Sequence, residues 1–67
     1  MEYTLDDVVN ELYAAFDAMK GAVEVHSRTR IEDAINWITA ILNEHRGGPY
    51  EHTLRRLYDE FIESTFG

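Results

Sequence analysis

The sequence predicts an all-α protein, an antiparallel helical hairpin with a third helix that completes a small bundle. Apolar residues recur at helical spacing in three segments, and the stretch RGGP at residues 46–49 interrupts that spacing. No segment shows the alternation that is typical of a β-strand. A chain of 67 residues allows a single domain, residues 1–67. We expect its helices at about residues 5–24, 29–46 and 49–64.

The first helix is indicated by a heptad pattern of apolar residues. The pattern consists of Leu5, Val9, Leu12, Phe16, Met19 and Val23. Thr4 and Asp7 have the spacing of an N-terminal capping box. Gly21 weakens the far end of the helix, so we expect the helix to end somewhere in residues 20–25.

The second helix has a broad apolar stripe. The stripe consists of Ile31, Ala34, Ile35, Ile38, Ile41, Leu42 and His45. Thr29 and Glu32 have capping-box spacing, which predicts a start at Thr29, and Ser27 is an alternative start. Trp37 lies beside the stripe, and together they are wider than one partner helix needs. We therefore expect this helix to contact two neighbours.

The stretch RGGP predicts a helix break. Gly47 suits the left-handed conformation that follows a helix C-cap. Gly48 suits an N-cap, and Pro49 suits the first turn of a new helix, in which Glu51 would be the third residue. The third helix should bury Tyr50, Leu54, Leu57, Tyr58, Phe61 and Ile62. A phosphate-binding loop would follow a strand and contain a lysine with Ser or Thr, which this stretch lacks. The third helix either closes the hairpin or reaches a partner subunit.

Chain length and residue types favour self-association. A chain this short is only marginally stable alone, and without cysteine it has neither disulfides nor thiolate metal sites. Its three histidines lack the spacing of a zinc-binding helix pair. We therefore expect a homo-oligomer with no metal and no cofactor.

The charge distribution restricts the partners. The net charge is −7, which argues against binding duplex DNA, because phosphate binding needs a positive surface. The acidic residues of the N-terminal segment, which carries no base up to residue 19, are Glu2, Asp6, Asp7, Glu11 and Asp17. This acidic surface either meets a basic protein or only keeps the protein soluble.

No segment is predicted to insert into a membrane or to direct secretion. The first residues lack a basic region before an apolar run. No apolar run approaches the ~18 residues that a transmembrane helix needs. We expect a cytoplasmic protein, in the host cell if a phage encodes it.

No arrangement typical of catalysis is present, so an enzyme is not expected. Ser27 and Ser64 lie outside any nucleophile motif. Adjacent acids such as Asp6 and Asp7 diverge on a helix. His45 is better explained as a half-buried residue at a helix end.

The arginines are the better candidates for recognition, since guanidinium groups with nearby aromatic rings suit a ligand with a phosphate and a base. The candidate ligand-binding residues are Arg28, Arg30, Trp37, Arg46, Tyr50, Arg55 and Arg56. The alternative is that Arg55 pairs with Glu51 or Asp59, and Arg56 with Glu60, one helical turn away. Arg28 and Arg30 have fewer acids within reach, which makes them the freer anion ligands.

The run RTRIEDAINWITAIL, residues 28–42, contains Glu32, Asp33, Ala34 and Trp37. It resembles the second helix of the hairpin in phage anti-defence sponge proteins (anti-CBASS and anti-Thoeris), and ELYAAFDAM in residues 11–19 resembles the helix before it. The resemblance covers residues 5–46. It implies an oligomer that sequesters cyclic nucleotide signals at subunit junctions without performing chemistry, and it assigns no individual ligand residues.

Three functional hypotheses follow. The first is a phage-type counter-defence protein that sequesters an anionic cyclic nucleotide through the arginines and aromatic residues. The second is an inhibitor or adaptor that presents its acidic first helix to a basic protein, as a DNA mimic such as an anti-CRISPR does. The third is an assembly module without a ligand.

Overall fold

The structure, a computed structural model, describes residues 4–67. Over that range the chain forms three α-helices and no strand: α1 (Leu5–Glu24), α2 (Arg28–Glu44) and α3 (Glu51–Phe66). The all-α prediction is confirmed. None of these helices combines the length and the apolar composition that crossing a membrane requires.

Helix α1 begins at the predicted capping box. The Asp7 amide donates to the Thr4 hydroxyl at 3.3 Å, and the Thr4 amide donates to the Asp7 carboxylate at 3.2 Å. Two backbone donors that have no partner inside the helix are satisfied in this way. Asp6 and Asp7 also place negative charge at the positive end of the helix dipole.

A very short turn joins α1 to α2. The His26 amide donates to the Val23 carbonyl at 3.1 Å, and the Ser27 amide donates to the Ala22 carbonyl at 3.0 Å. These two bonds form a Schellman motif, which places His26 in the left-handed region at φ 56°. Ser27 then caps α2 by accepting from the Arg30 amide at 3.3 Å.

The predicted start of α2 at Thr29 is therefore wrong, and the alternative start at Ser27 is correct. The reason is that the Schellman motif uses only one residue, His26, between the C-cap of α1 at Val25 and the N-cap of α2. The chain is already turned into α2 before it reaches Thr29.

Replacing His26 with glycine should stabilise the protein. Left-handed backbone costs a residue with a Cβ about 1–2 kcal/mol, of which the extra chain entropy of glycine offsets about 0.5–1 kcal/mol. We expect a gain of about 0.5–1 kcal/mol, which raises the melting temperature by roughly 2–8 °C in a domain of this size. Gly47→Ala is the matched control, since Gly47 has φ 78° with open space around it, and we expect it to lower the melting temperature. Circular dichroism melts measure both shifts. A lower melting temperature for His26→Gly together with a higher one for Gly47→Ala would contradict this account.

The turn between α2 and α3 agrees with the sequence prediction only in part. Gly47 has the expected left-handed conformation. Helix α2 ends at Glu44 rather than residue 46, and α3 begins at Glu51 rather than Pro49, with Tyr50 and not Gly48 at the N-cap. The physical reason is that the Glu51 carboxylate accepts from the Gly47 amide at 3.1 Å. Glu51 thereby closes the turn at residues 47–51, instead of occupying the third position of a helix.

The three helices share one core, in which α1 packs mainly against α2. The buried apolar residues are Val8, Leu12, Ala15, Phe16, Met19, Ala22, Ala34, Ile38, Ile41, Leu54 and Phe61. On α1 the buried stripe is displaced from the predicted heptad, because Val9 and Val23 are only half-buried while Ala15 and Ala22 are buried. The small alanines allow α2 to approach α1 closely.

Helix α3 closes against the hairpin within the same chain. Leu54 is fully buried, and the Phe61 ring stacks on the Phe16 ring with centroids 4.2 Å apart and planes 2° apart. Within this chain α3 therefore closes the hairpin, as one of the two alternatives for the third helix predicts. These contacts also explain why the buried surface of α1 has two flanks, with alanines toward α2 and Phe16 toward α3.

The molecule is flat, and large apolar side chains remain at its surface. Its dimensions are 35 × 26 × 17 Å, and its radius of gyration is 12.1 Å, compared with about 11 Å for a compact chain of this length. The exposed large apolar residues are Tyr13, Val25, Ile35, Trp37 and Phe66. Ile35, predicted to be buried, is 47% exposed, since α1 and α3 do not cover its flank of α2.

Candidate functional site

A groove of about 510 Å³ runs between α1 and α2 and contains both a cation and an aromatic ring. We call it the α1/α2 groove. Arg30 and Trp37 lie on its α2 side. The residues that line it are Ala18, Gly21, Ala22, Glu24, Val25, Arg30, Asp33, Ala34 and Trp37.

The groove is open because small residues form its floor. Ala22 and Ala34 are buried where the two helices meet, and Ala18 and Gly21 continue the α1 wall without large side chains. Arg30 and Trp37 are seven residues apart on α2, which places them on one side of the helix about 10 Å apart. A ligand lying along α2 could therefore contact both side chains.

The charges in the groove are mixed. Arg30 is exposed and is not in either ion pair found among residues 4–67. Asp33 and Glu24 also line the groove. The groove thus offers one guanidinium donor, two carboxylate acceptors and one indole ring, of which the Trp37 side chain is well exposed. This set suits a ligand with an anionic group, hydrogen-bond donors and an aromatic ring.

A second opening contains two other predicted ligand residues. Arg46 and Arg55 line a polar pocket of about 340 Å³ beside the α2–α3 turn, together with Leu42, Asn43 and Glu51. Helix α2 has 17 residues, so its two ends are about 25 Å apart. A single chain therefore does not bring Arg46 and Arg55 together with Arg30. The Tyr50 ring packs against the His45 ring, with centroids 5.8 Å apart, at the same end as the polar pocket.

Two of the candidate arginines form ion pairs within their own helix. Arg56 pairs with Glu60 at 3.6 Å, as the sequence spacing predicts. Arg28 pairs with Glu32 at 3.5 Å, so of the two arginines expected to be the freer anion ligands, only Arg30 is outside the ion pairs found among residues 4–67. The reason is local, because Glu32 lies one turn along the same helix face. The predicted pairs of Arg55 with Glu51 and Asp59 do not form in the structure, and the Glu51 carboxylate binds the Gly47 amide instead.

The acidic residues of the alternative site lie on the exposed side of α1. Asp6, Asp7, Glu11 and Asp17 are all exposed, and Glu2 lies outside the described residues. Lys20, the base of α1, has its ammonium 5.9 Å from the centre of the Phe61 ring. The lysine is thus directed toward α3, where it lines a depression together with Asp17 and Glu60.

Sequence reasoning singled out Arg30 and Trp37, which line the α1/α2 groove, but not the rest of its walls. Glu24, Asp33 and the alanine floor were not predicted to contribute. The signal that could have identified them is the spacing of Ala18 and Ala22 on α1, one turn apart, because small residues at this spacing leave space beside a neighbouring helix. In the described part of the chain, no three His, Asp or Glu residues lie close enough to hold a metal ion.

Comparisons with known proteins assign no family to this architecture. No protein-family model, curated protein or solved structure matches the chain significantly. The function is therefore inferred from the grooves, charges and exposed apolar surfaces described above.

Proposed function

We propose that this chain is a non-catalytic binding protein that captures an anionic nucleotide of the cyclic nucleotide class in the α1/α2 groove. The observation that supports this most is that Arg30 and Trp37 line the same groove. The volume of about 510 Å³ is within the range of ~300–1,000 Å³ that small-molecule sites have.

Each recognising residue has a separate role. The Arg30 guanidinium donates two parallel hydrogen bonds to a phosphate, which is the geometry that arginine favours. The Trp37 indole stacks on the base. Asp33 and Glu24 accept hydrogen bonds from ribose hydroxyl groups or from an amino group of the base. None of these roles makes or breaks a covalent bond.

The proposal includes self-association and sequestration. Arg28, Arg46, Tyr50, Arg55 and Arg56 do not line the α1/α2 groove, and they contact the same ligand only where a second subunit brings them to it. The resemblance of residues 5–46 to phage anti-defence sponge proteins supports sequestration of an immune signal as the biological role. A sponge needs tight binding and a high abundance, and it needs no catalytic residue.

Reversing the charge of Arg30 should abolish nucleotide capture. A hydrogen-bonded charged pair contributes about 1.5–3 kcal/mol, and Arg30→Glu replaces it with repulsion, so we expect affinity to fall at least about 10-fold. Isothermal titration against a panel of cyclic di- and trinucleotides measures this. The matched control is Lys20→Glu, which changes the net charge equally at a base that neither lines the groove nor is a candidate ligand residue. No binding by the wild type to any panel member, or equal losses in both variants, would contradict the proposed site.

A second function is favoured by the charge of α1. The Lys20 ammonium lies 5.9 Å from the centre of the Phe61 ring, and Lys20 shares a depression with Tyr13 and Asp17. It is the one base of α1 beside four exposed acids, Asp6, Asp7, Glu11 and Asp17, so the exposed face of α1 is acidic. We propose as the second candidate that this face binds a basic protein, as an inhibitor that imitates nucleic acid does. Asp6→Asn and Asp17→Asn should weaken such a complex and leave nucleotide titrations unchanged. Loss of nucleotide binding in these variants would instead assign the acids to the ligand.

A further inference from the structure

We propose that the apolar groove between α2 and α3 binds a second copy of this chain. We call it the α2/α3 groove. Its volume is about 270 Å³, and Ile35 and Phe66 at its edges are 47% and 53% exposed. The residues that line it are Met19, Ile31, Ile35, Ile38, Thr39, Tyr58, Ile62 and Phe66.

The α2/α3 groove is separate from the nucleotide site. Ile35 and Trp37 are two residues apart on a helix, so their side chains leave α2 about 200° apart, on opposite flanks. Each groove is therefore lined by a different flank of α2. A second copy bound at the α2/α3 groove leaves Arg30 and Trp37 accessible to a ligand.

The available area is that of a small dimer interface. The face formed by α2 and α3 is about 25 Å long and about 20 Å wide, from the helix length and usual helix spacing. It offers roughly 500 Å² per subunit, or about 1,000 Å² in a dimer, which is near the lower limit for a specific interface. The chain also exposes 5063 Å², compared with about 4,400 Å² for a compact monomer of its mass. The excess is similar to what one partner buries in a standard interface.

Charge favours a second copy over a basic or acidic partner. On α2, Arg28 and Glu32 neutralise each other in an ion pair at 3.5 Å. On α3, three charged residues lie one turn before the groove residues Tyr58, Ile62 and Phe66, namely Arg55, Asp59 and Glu63. The rim therefore has two positive and three negative groups, which is much closer to neutral than the net charge of −7 of the whole chain. Two copies meeting here avoid the repulsion that their acidic α1 faces would cause.

The relief of the face also suits a two-fold pair. It has a ridge, made by the exposed Ile35, beside a groove whose floor is Met19 and Ile38. In a two-fold arrangement the ridge of each subunit can enter the groove of the other, since both subunits present the same surface. Burying Ile35 and Phe66 in this way removes two large exposed apolar side chains from water.

Light scattering after gel filtration tests the proposal on the full chain. Interfaces of modest area bind at about micromolar affinity, so the wild type should shift from monomer to dimer mass between about 1 and 100 µM. Ile35→Asp should be monomeric at about 100 µM, since a carboxylate in an apolar interface is strongly unfavourable. Circular dichroism should show that the variant remains helical, because Ile35 is outside the core.

Two further variants make the test specific to this face. Trp37→Ser removes an equally exposed apolar side chain from the opposite flank of α2 and should remain dimeric, whereas Ile35→Ser should weaken the dimer at least about 10-fold. A wild type that is monomeric at every concentration would overturn the proposal, as would a dimer that Trp37→Ser dissociates and Ile35→Ser does not. Because nucleotide titrations of Ile35→Asp report on the other groove, failure of the dimer and failure of the nucleotide site are distinguishable.

Discussion

Replacing Leu12 with alanine is expected to lower the free energy of unfolding by about 3–5 kcal/mol. Leu12 has no exposed surface and lies near the middle of α1. Its removal costs the transfer free energy of the side chain and leaves a cavity that fixed neighbours cannot fill. A domain of this size has a total stability of roughly 3–10 kcal/mol, so we expect the variant to be partly unfolded at 25 °C.

Urea denaturation followed by circular dichroism measures the effect of Leu12→Ala. All samples need the same protein concentration, because association adds to the apparent stability. Tyr13→Ala is the matched control, since Tyr13 is the next residue on α1 and is 48% exposed. We expect the control to lose less than about 1 kcal/mol. Equal losses in the two variants would show that α1 does not bury the face described here.

Replacing Phe61 with alanine should release α3 from the hairpin. Phe61 is 7% exposed and stacks on Phe16, and truncating a buried phenylalanine costs about 3–5 kcal/mol. Leu54 would then be the only α3 residue left in the core cluster of buried residues. We therefore expect a loss of about 3 kcal/mol or more, with α3 affected more than the other helices.

Hydrogen exchange, measured for each helix separately, shows where this loss of stability occurs. In Phe61→Ala, amides of α3 should exchange much faster than in the wild type, while amides in the middle of α1 and α2 should remain better protected. Phe66→Ala is the control, because Phe66 is 53% exposed, and all samples are compared at one low protein concentration so that association does not protect α3. A uniform loss of protection in all three helices would contradict a separate role for Phe61.

The sequence predicts α1 well because its signals are local and agree with one another. The capping box of Thr4 and Asp7 needs only backbone spacing, and the structure contains both of its hydrogen bonds. The starts of α2 and α3 are less predictable, since two local alternatives compete at each. At α2 the Schellman turn favours Ser27 over Thr29. At α3 the carboxylate of Glu51 has two available backbone roles, and in the structure it binds the Gly47 amide.

The candidate site is predictable in residue type but not in grouping. Arg30 and Trp37 share a groove because their spacing puts them on one helix flank, which the sequence shows. Arg46 lies at the other end of α2, beside a second pocket, and only the length of α2 reveals that separation. Ile35 has the spacing of a core residue, but one chain has too few helices to cover both flanks of α2.

Trp37 gives the most direct test of whether the α1/α2 groove binds a nucleotide. It is the single tryptophan of the chain, so tryptophan emission, excited selectively over that of the tyrosines, reports on this groove alone. Titration with cyclic di- and trinucleotides should quench the emission saturably, as a base stacks on the indole, and Arg30→Glu should remove the quenching. Unchanged emission with a nucleotide that calorimetry shows to bind would place the ligand elsewhere and contradict the proposed site.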